Sequence, residues 1–335
     1  MTKYVIFVIA QPGQAAYLAP LWKDWINKGY KEWCIYSANK ALSEKLKTTL
    51  QSFLLPFWEE QSDIEHVFRH YPPKLIINSA CRLQPILDIS TFAKKYQIPH
   101  IQVIDSWNDY ASRIFESNPK GSLPDAVTVI DEWAKDKAVA EGLPENIIHC
   151  TGHPAWEERI KIKTSPQSRS RVVFASQPLS EIPSMKGLGF DEVSVWNFLK
   201  DFQKQNPDLI EELVYKPHPS QKKLPNNMSG SIRFPFTDED TLNSCGTMVS
   251  MFSAIMVEGL FAGQHVIGLQ PNLLQTNLCP LTSRALVPLV TSYSVPEFKQ
   301  ALQAETLTDD KLGQLMQAVE GSIDKLKVVI NQFLV

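Results

Sequence analysis

The 335-residue chain has no apolar run approaching the roughly 20 residues that a membrane-spanning helix needs. It also lacks an excess of either charge: 33 basic residues against 36 acidic ones leave −3, which excludes the basic footprint of a nucleic-acid binder. Its five cysteines, Cys34, Cys81, Cys150, Cys245 and Cys279, are scattered, with no C-x-x-C pair. That excludes a disulfide framework and a zinc site, and reads as reduced thiols in the cytoplasm. The apolar part of the opening MTKYVIFVIAQPGQ is too short for a signal peptide. No G-x-G-x-x-G run, P-loop or internal repeat is present. What remains is 44% hydrophobic and 21% charged, the balance of an ordinary folded protein.

Short apolar runs alternate with longer amphipathic stretches. Tyr4–Ala10, Glu32–Tyr36, Lys74–Asn78, His100–Ile104, Ala126–Ile130 and Ile147–Cys150 read as strands. Arg171–Ala175, Leu213–Lys216, Thr247–Met251, His265–Leu269 and Leu286–Val290 repeat the pattern. Near-continuous Val/Ile runs mark buried parallel strands, and their alternation with helical segments marks βαβ units. Helical spacing appears over Tyr17–Lys28, Leu87–Tyr96, Val193–Gln205, Ala254–Ala262 and Val295–Ala304, with one or two helices in the tail Asp309–Phe333. The polar segment 161–171, KIKTSPQSRSR, breaks the periodicity and reads as a linker. The expected fold is therefore α/β: two doubly wound Rossmann-like domains, residues 1–160 and 172–335, facing a central cleft. In such sheets ligands sit at the carboxyl ends of the strands, so the informative residues are those just past each strand.

After the first strand, Gly13 lets the backbone at a helix start approach a ligand; an ordinary βα turn is the alternative. After the fourth comes Asp105-Ser106-Trp107-Asn108-Asp109. A carboxylate there could accept a proton from an attacking hydroxyl, or simply cap the next helix with Trp107 in the core. After the sixth, Thr151-Gly152-His153-Pro154 turns His153 toward the cleft or leaves it as a solvated loop residue. Ser176 and Gln177 offer a hydroxyl and an amide where the second domain opens. Lys216-Pro217-His218-Pro219 is the sharpest local signal. Its prolines forbid a helix, and positions two apart in an extended chain share a side, so Lys216 and His218 would form an anion clamp; a rigid turn with a capping histidine is the alternative. Ser250 and Ser253 precede the apolar helix AIMVEGLFAG, where Ser253 would be the N-cap. Glu258 inside that helix needs partners if buried. A ribose diol would supply them, as would a salt bridge.

This order resembles the nucleotide-sugar glycosyltransferases of the GT-B fold: a Gly-containing loop, TGHP at the junction, KPHP, then S-x-x-S with an apolar Glu-Gly helix before HVIGLQ. It is similar to the bacterial surface-polysaccharide groups, the UDP-N-acetylglucosamine 2-epimerases, and the HP-motif sialyl-, Kdo- and glycerophosphate transferases. The resemblance implies a sugar moved from a nucleotide-sugar donor to a sugar or lipid-linked acceptor. Lys216, His218, Ser250 and Ser253 would meet the donor phosphates, and Glu258 the ribose. Ser176 and Gln177 would also face the nucleotide sugar. Gly13, Trp107 and Asp109 would line the acceptor side, with Asp105 as base and His153 as the second catalytic residue. No Asp-x-Asp motif joins Asp105, Asp109 and Asp131, so no metal and no cofactor are expected. The epimerases' Asp-Ser-Gly-Gly run is replaced here by Met-Phe-Ser-Ala, and the sialyltransferases' acidic-acidic-Gly motif has no counterpart near Asp105. A 2-epimerase or hydrolase, and a non-catalytic nucleotide-binding scaffold subunit, are the rival readings. The aromatic–basic stretch Trp22, Lys23, Trp25, Lys28, Tyr30 and Lys31 is open to two readings, core packing or peripheral contact with the inner membrane.

Overall fold

The computed structural model describes residues 2–37, 40–55, 64–81, 83–120, 122–162, 167–218, 221, 224, 238–275, 277–305 and 307–334. They form two α/β units, Met1–Glu158 with Gln317–Val335, and Arg159–Met316.

The first unit holds β1 (Tyr4–Ile9), β2 (Trp33–Ser37), β3 (Pro73–Ser79), β4 (His100–Val103), β5 (Ala126–Val129) and β6 (Ile148–Cys150). They pair in parallel in the order β2-β1-β3-β4-β5-β6. Covered on both faces, β1 has no polar alternation: Val5 to Ile9 are all buried. Phe7 meets Trp22, Trp25 and Trp33 edge-to-face at 5.4–6.0 Å, an arrangement that suits aromatic quadrupoles. Trp22 and Trp25 are thus core, while Tyr30 is exposed.

The helix Pro12–Asn27 begins five residues earlier than the spacing predicts. Pro12 lacks an N–H where none would be bonded, and the Gln14 carboxamide accepts from the amides of Ala10 and Gln11. A Pro-Gly pair that reads as a turn is therefore the first turn of a helix.

The second unit holds β7 (Arg171–Ala175), β8 (Glu212–Lys216), β9 (Thr247–Ser250), β10 (His265–Leu269) and β11 (Leu289–Val290). All pairs are parallel, in the order β11-β10-β9-β7-β8. Its core joins Phe174, Trp196, Leu199, Phe202, Tyr215 and Phe298. The helix Glu192–Gln205 covers it, opened by Asp191, whose carboxylate accepts from the Ser194 amide at 2.7 Å.

Two boundaries differ from the sequence expectation. The division between units falls at Glu158 and Arg159, inside the helix Pro154–Ile160, and not in segment 161–171, of which residues 163–166 lie outside the described part. The tail forms two helices, Asp309–Val319 and Ser322–Gln332, and the second returns to the first unit. Leu326, Val329 and Ile330 join the core under β1. Helical periodicity marks those residues as a buried face, but does not say which sheet the face covers. Among the described residues no helix is long and apolar enough to cross a membrane.

Candidate functional site

In each sheet the chain leaves the first strand to one side and later crosses to the other, which opens a crevice at the carboxyl ends where the order reverses. In the first unit that point lies between β1 and β3. Gly13 and Gln14 arrive there on the helix after β1, Ala80 and Cys81 on the loop after β3, and Asp105 on the loop after β4.

Asp105 is anchored on one side. Arg113, from the helix Tyr110–Glu116, donates to Asp105 Oδ1 through Nη2 at 2.9 Å, to Ser106 Oγ through Nη1 at 2.7 Å, and to the Ala80 carbonyl through Nε at 2.9 Å. The other carboxylate oxygen faces Gly13: a Cβ at residue 13 would lie 3.8 Å from Oδ2. The structure thus brings together Gly13 and Asp105, two residues chosen on the strand-end argument, and adds Arg113.

His153 belongs to the same neighbourhood. Its ring stacks on Trp156 at 3.9 Å and meets Tyr17 edge-on at 4.7 Å. The Tyr17 hydroxyl donates to the Gly152 carbonyl at 3.3 Å. Burial pushes the imidazole down to about 3, and the Asp105 carboxylate works in the opposite direction. Burial likewise pushes the Tyr17 phenol up to about 12. His153 is therefore neutral at neutral pH. Its Nδ1 accepts from the Trp156 amide at 3.3 Å, which assigns the ring proton to Nε2. A neutral donor of this kind can orient a substrate oxygen but brings no positive charge to a phosphate.

His100, at the amino end of β4, is also buried and pushed down to about 3, with its ring bonded to the Asn78 side chain. Above the ordinary value near 6.5, both the folded and the unfolded chain hold these rings neutral. Below it, the unfolded chain takes up protons that the folded chain refuses until about pH 3. Stability should fall across that window by about 1.4 kcal/mol per pH unit for each ring. Urea unfolding at pH 7, 5.5 and 4.5 measures the slope. His100→Gln should remove one ring's share, and an unchanged slope would contradict the assignment.

In the second unit the reversal lies between β7 and β9. Two bonds close it: Ser250 Oγ donates to the Ala175 carbonyl at 2.6 Å, and the Phe252 amide donates to Gln177 Oε1 at 3.0 Å. Lys216 ends β8 and is buried. Its carbonyl accepts from the Ser176 amide at 2.9 Å. His218 is half-buried, and its carbonyl closes a turn with the Gln221 amide. Pro219 and Ser220 lie outside the described residues. His218 follows β8 and Glu258 follows β9, with β7 between them, so their parent strands stand about 10 Å apart.

Several sequence expectations change here. Ser250 is fully buried and its one hydroxyl proton goes to Ala175, so it braces two strand ends and is not a donor to a phosphate. Ser176 Oγ is buried against the Tyr215 hydroxyl at 2.6 Å. Ser253 is not the N-cap: the helix spans Ile255–Phe261 behind Ala254, with no side-chain cap. Glu258 is half-buried, not enclosed. The neighbouring Gly259 admits Met248 and Gln264, whose atoms would come within 2.9–3.2 Å of a Cβ. Trp107 is buried against Trp156, with ring centres 5.0 Å apart, and is a wall of the core. Asp109 is exposed in the left-handed region, with φ 54°, and starts the Arg113 helix through its carbonyl. Sequence reasoning missed Arg113, Tyr17 and Gln270, whose amide donates to the Met251 carbonyl and to Asn277 Oδ1 at 2.9 Å. Gln270 alone carried a signal, as the residue just past β10.

No protein-family model matches the sequence, and no curated protein matches it. Solved structures do match in fold. UDP-GlcNAc 2-epimerase from Neisseria meningitidis bound to UDP-GlcNAc is 13% identical, with TM-score 0.63 and 99% of each chain covered. The Methanocaldococcus jannaschii UDP-GlcNAc 2-epimerase is 12% identical, with TM-score 0.66, covering 98% of this chain and 99% of that one. The glycotransferase of kitacinnamycin is 12% identical, with TM-score 0.59, over 99% and 100%. The chain therefore has the GT-B-like fold, two parallel-sheet α/β units matched along their whole length.

Proposed function

We propose that the chain is an enzyme acting on a nucleotide sugar, a glycosyltransferase that moves the sugar to a hydroxyl acceptor. The observation that carries this reading is Asp105, held by Arg113 at the reversal point of the first sheet with one oxygen turned toward Gly13, in a fold shared end to end with enzymes named for UDP-GlcNAc. In this reading Asp105 Oδ2 takes the proton of the acceptor hydroxyl. The acceptor oxygen bonds to the anomeric carbon as the bond to the donor phosphate breaks. The departing nucleotide keeps that electron pair, and Lys216 with the half-buried His218 offsets its charge. His153 would steady a substrate oxygen through its Nε2 proton.

A second reading, a 2-epimerase of the nucleotide sugar, is favoured by the names of several of the matching structures. Here Asp105 would act on the donor itself, with no acceptor. Incubation with UDP-GlcNAc separates the two. New UDP-sugar epimer without acceptor supports the epimerase, and UDP release that depends on an added glycan acceptor supports the transferase.

Binding comes before either. A nucleotide at 100 times its Kd should stabilise the chain by about 2.7 kcal/mol, visible as a raised melting temperature with UDP, CDP, CMP or GDP. Lys216→Met should weaken the effective nucleotide tenfold or more, about 1.4 kcal/mol. No response to any of the four would remove the nucleotide-sugar reading.

A further inference from the structure

We propose that Arg113 is the positioning residue that selects which oxygen of Asp105 meets the substrate: it immobilises Oδ1 and leaves Oδ2, over Gly13, as the atom that receives the proton. The inference rests on the reading of Asp105 as the base in nucleotide-sugar processing. Its support is geometric. The guanidinium is a rigid planar fork, and here each of its three nitrogens has a separate acceptor, on two different loops: the Ala80 carbonyl, Ser106 Oγ and Asp105 Oδ1. Ser106 has one hydroxyl proton and gives it to Asn108 Oδ1 at 2.8 Å, so its lone pairs are turned to the arginine. Side-chain exposure is only 16% for Arg113 and 17% for Asp105. The fork therefore has one orientation, and so does the carboxylate.

Gly13 completes the argument. Its φ lies outside the left-handed region, so the backbone does not demand glycine. Gly13 stands in the first turn of the helix Pro12–Asn27, where other residues fit as well. Yet the space a Cβ would fill is the space beside Oδ2. A substrate hydroxyl approaching Oδ2 needs that space.

The test is steady-state kinetics on the nucleotide sugar that the parent chain turns over, with melting temperatures alongside. Arg113→Met should lower kcat by thirtyfold or more with KM for the donor within threefold. Arg113→Lys should recover only part of that loss, because one ammonium cannot hold three acceptors in a plane. Added methylguanidinium should raise kcat of Arg113→Met and leave the parent unchanged. Gly13→Ala, whose Cβ makes only ordinary contacts, should melt within about 2 °C of the parent and still lose tenfold in kcat; it carries the test if Arg113→Met does not fold. Arg113→Met or Gly13→Ala proteins that fold and keep kcat within threefold would overturn the inference. The underlying reading fails differently: full turnover in Asp105→Asn removes the base, and no turnover of any nucleotide sugar removes both.

Discussion

Gly152→Ala should cost the first unit about 2–5 kcal/mol. Gly152 sits at φ +77°, where an L side chain costs roughly 1–2 kcal/mol. Space adds a second cost. A Cβ there would lie 2.0 Å from Ser322 Oγ, 3.0 Å from Ser322 Cβ and 3.1 Å from the Ala318 carbonyl, and overpacking of this kind costs about 1–3 kcal/mol. Ser322 cannot swing away, because it is fully buried with its hydroxyl bonded to the Val319 carbonyl. The helix behind it is tied down as well: the Ile323 amide donates to Glu157 Oε2 at 3.0 Å, and Lys327 pairs with Asp24 at 3.1 Å. Relief would require the whole C-terminal helix to move off the core. Urea unfolding measures the loss. Ser322→Gly in the same chain should return the steric share and leave the backbone share of about 1–2 kcal/mol. A loss below 1 kcal/mol in Gly152→Ala would mean that the C-terminal helix is not seated as described. The loop that carries His153 is thereby coupled to residues almost at the chain's end.

The same pair of residues shows where sequence reading stops. Ser322 and Gly152 are 170 positions apart, and helical periodicity in the tail is satisfied equally well by either sheet. Strands are another matter. Arg171–Ala175 and His265–Leu269 match the structure residue for residue, because buried parallel strands must be apolar on both faces. The apolar run from Leu286 pairs only over Leu289–Val290. Pro288 has no amide to donate, and Ala285 sits at φ 52° in a turn. The helices Lys40–Leu50 and Tyr110–Glu116 are short, and although Leu42, Leu46 and Leu50 in the first and Tyr110, Ala111 and Ile114 in the second recur at helical spacing, the sequence reading passed over both. Gly13 and Asp105, both singled out by one rule, that ligands meet strand carboxyl ends, do lie side by side. Arg113 was not legible, because only the turn at Asp109 and one turn of helix bring a residue eight positions later back onto Asp105. The serines were misread for a related reason. A hydroxyl after a strand looks the same in sequence whether it faces a ligand or, like Ser250 and Ser176, is consumed by a neighbouring strand.

Asp105→Asn carries the largest expected functional loss, a factor of about 10²–10⁴ in kcat with little change in donor KM. Asparagine keeps the shape and keeps an oxygen to accept from Arg113 at the position of Oδ1. The amide nitrogen then falls at the position of Oδ2, beside Gly13. There it donates where the aspartate accepted, and it cannot take a proton. Folding and nucleotide binding should survive, since the substitution is isosteric and the second unit supplies Lys216 and His218 on its own elements. Asp105→Ala is the harsher control: it leaves the nearly buried guanidinium without its carboxylate, so it should lose stability as well as rate. The two variants separate base from brace. If Asp105→Asn turns over within tenfold of the parent while Asp105→Ala unfolds early, the carboxylate serves only to hold Arg113. His153 could not then be a strong base either, because burial keeps its imidazole far below the ordinary value. Among the described residues, two further side chains at this crevice that could lose a proton are the Cys81 thiol, which burial pushes up, and the Tyr17 phenol, which burial pushes up to about 12. Neither of these is poised to accept a proton at neutral pH, so turnover that survives the loss of Asp105 would mean that the proton is taken by a group outside this crevice.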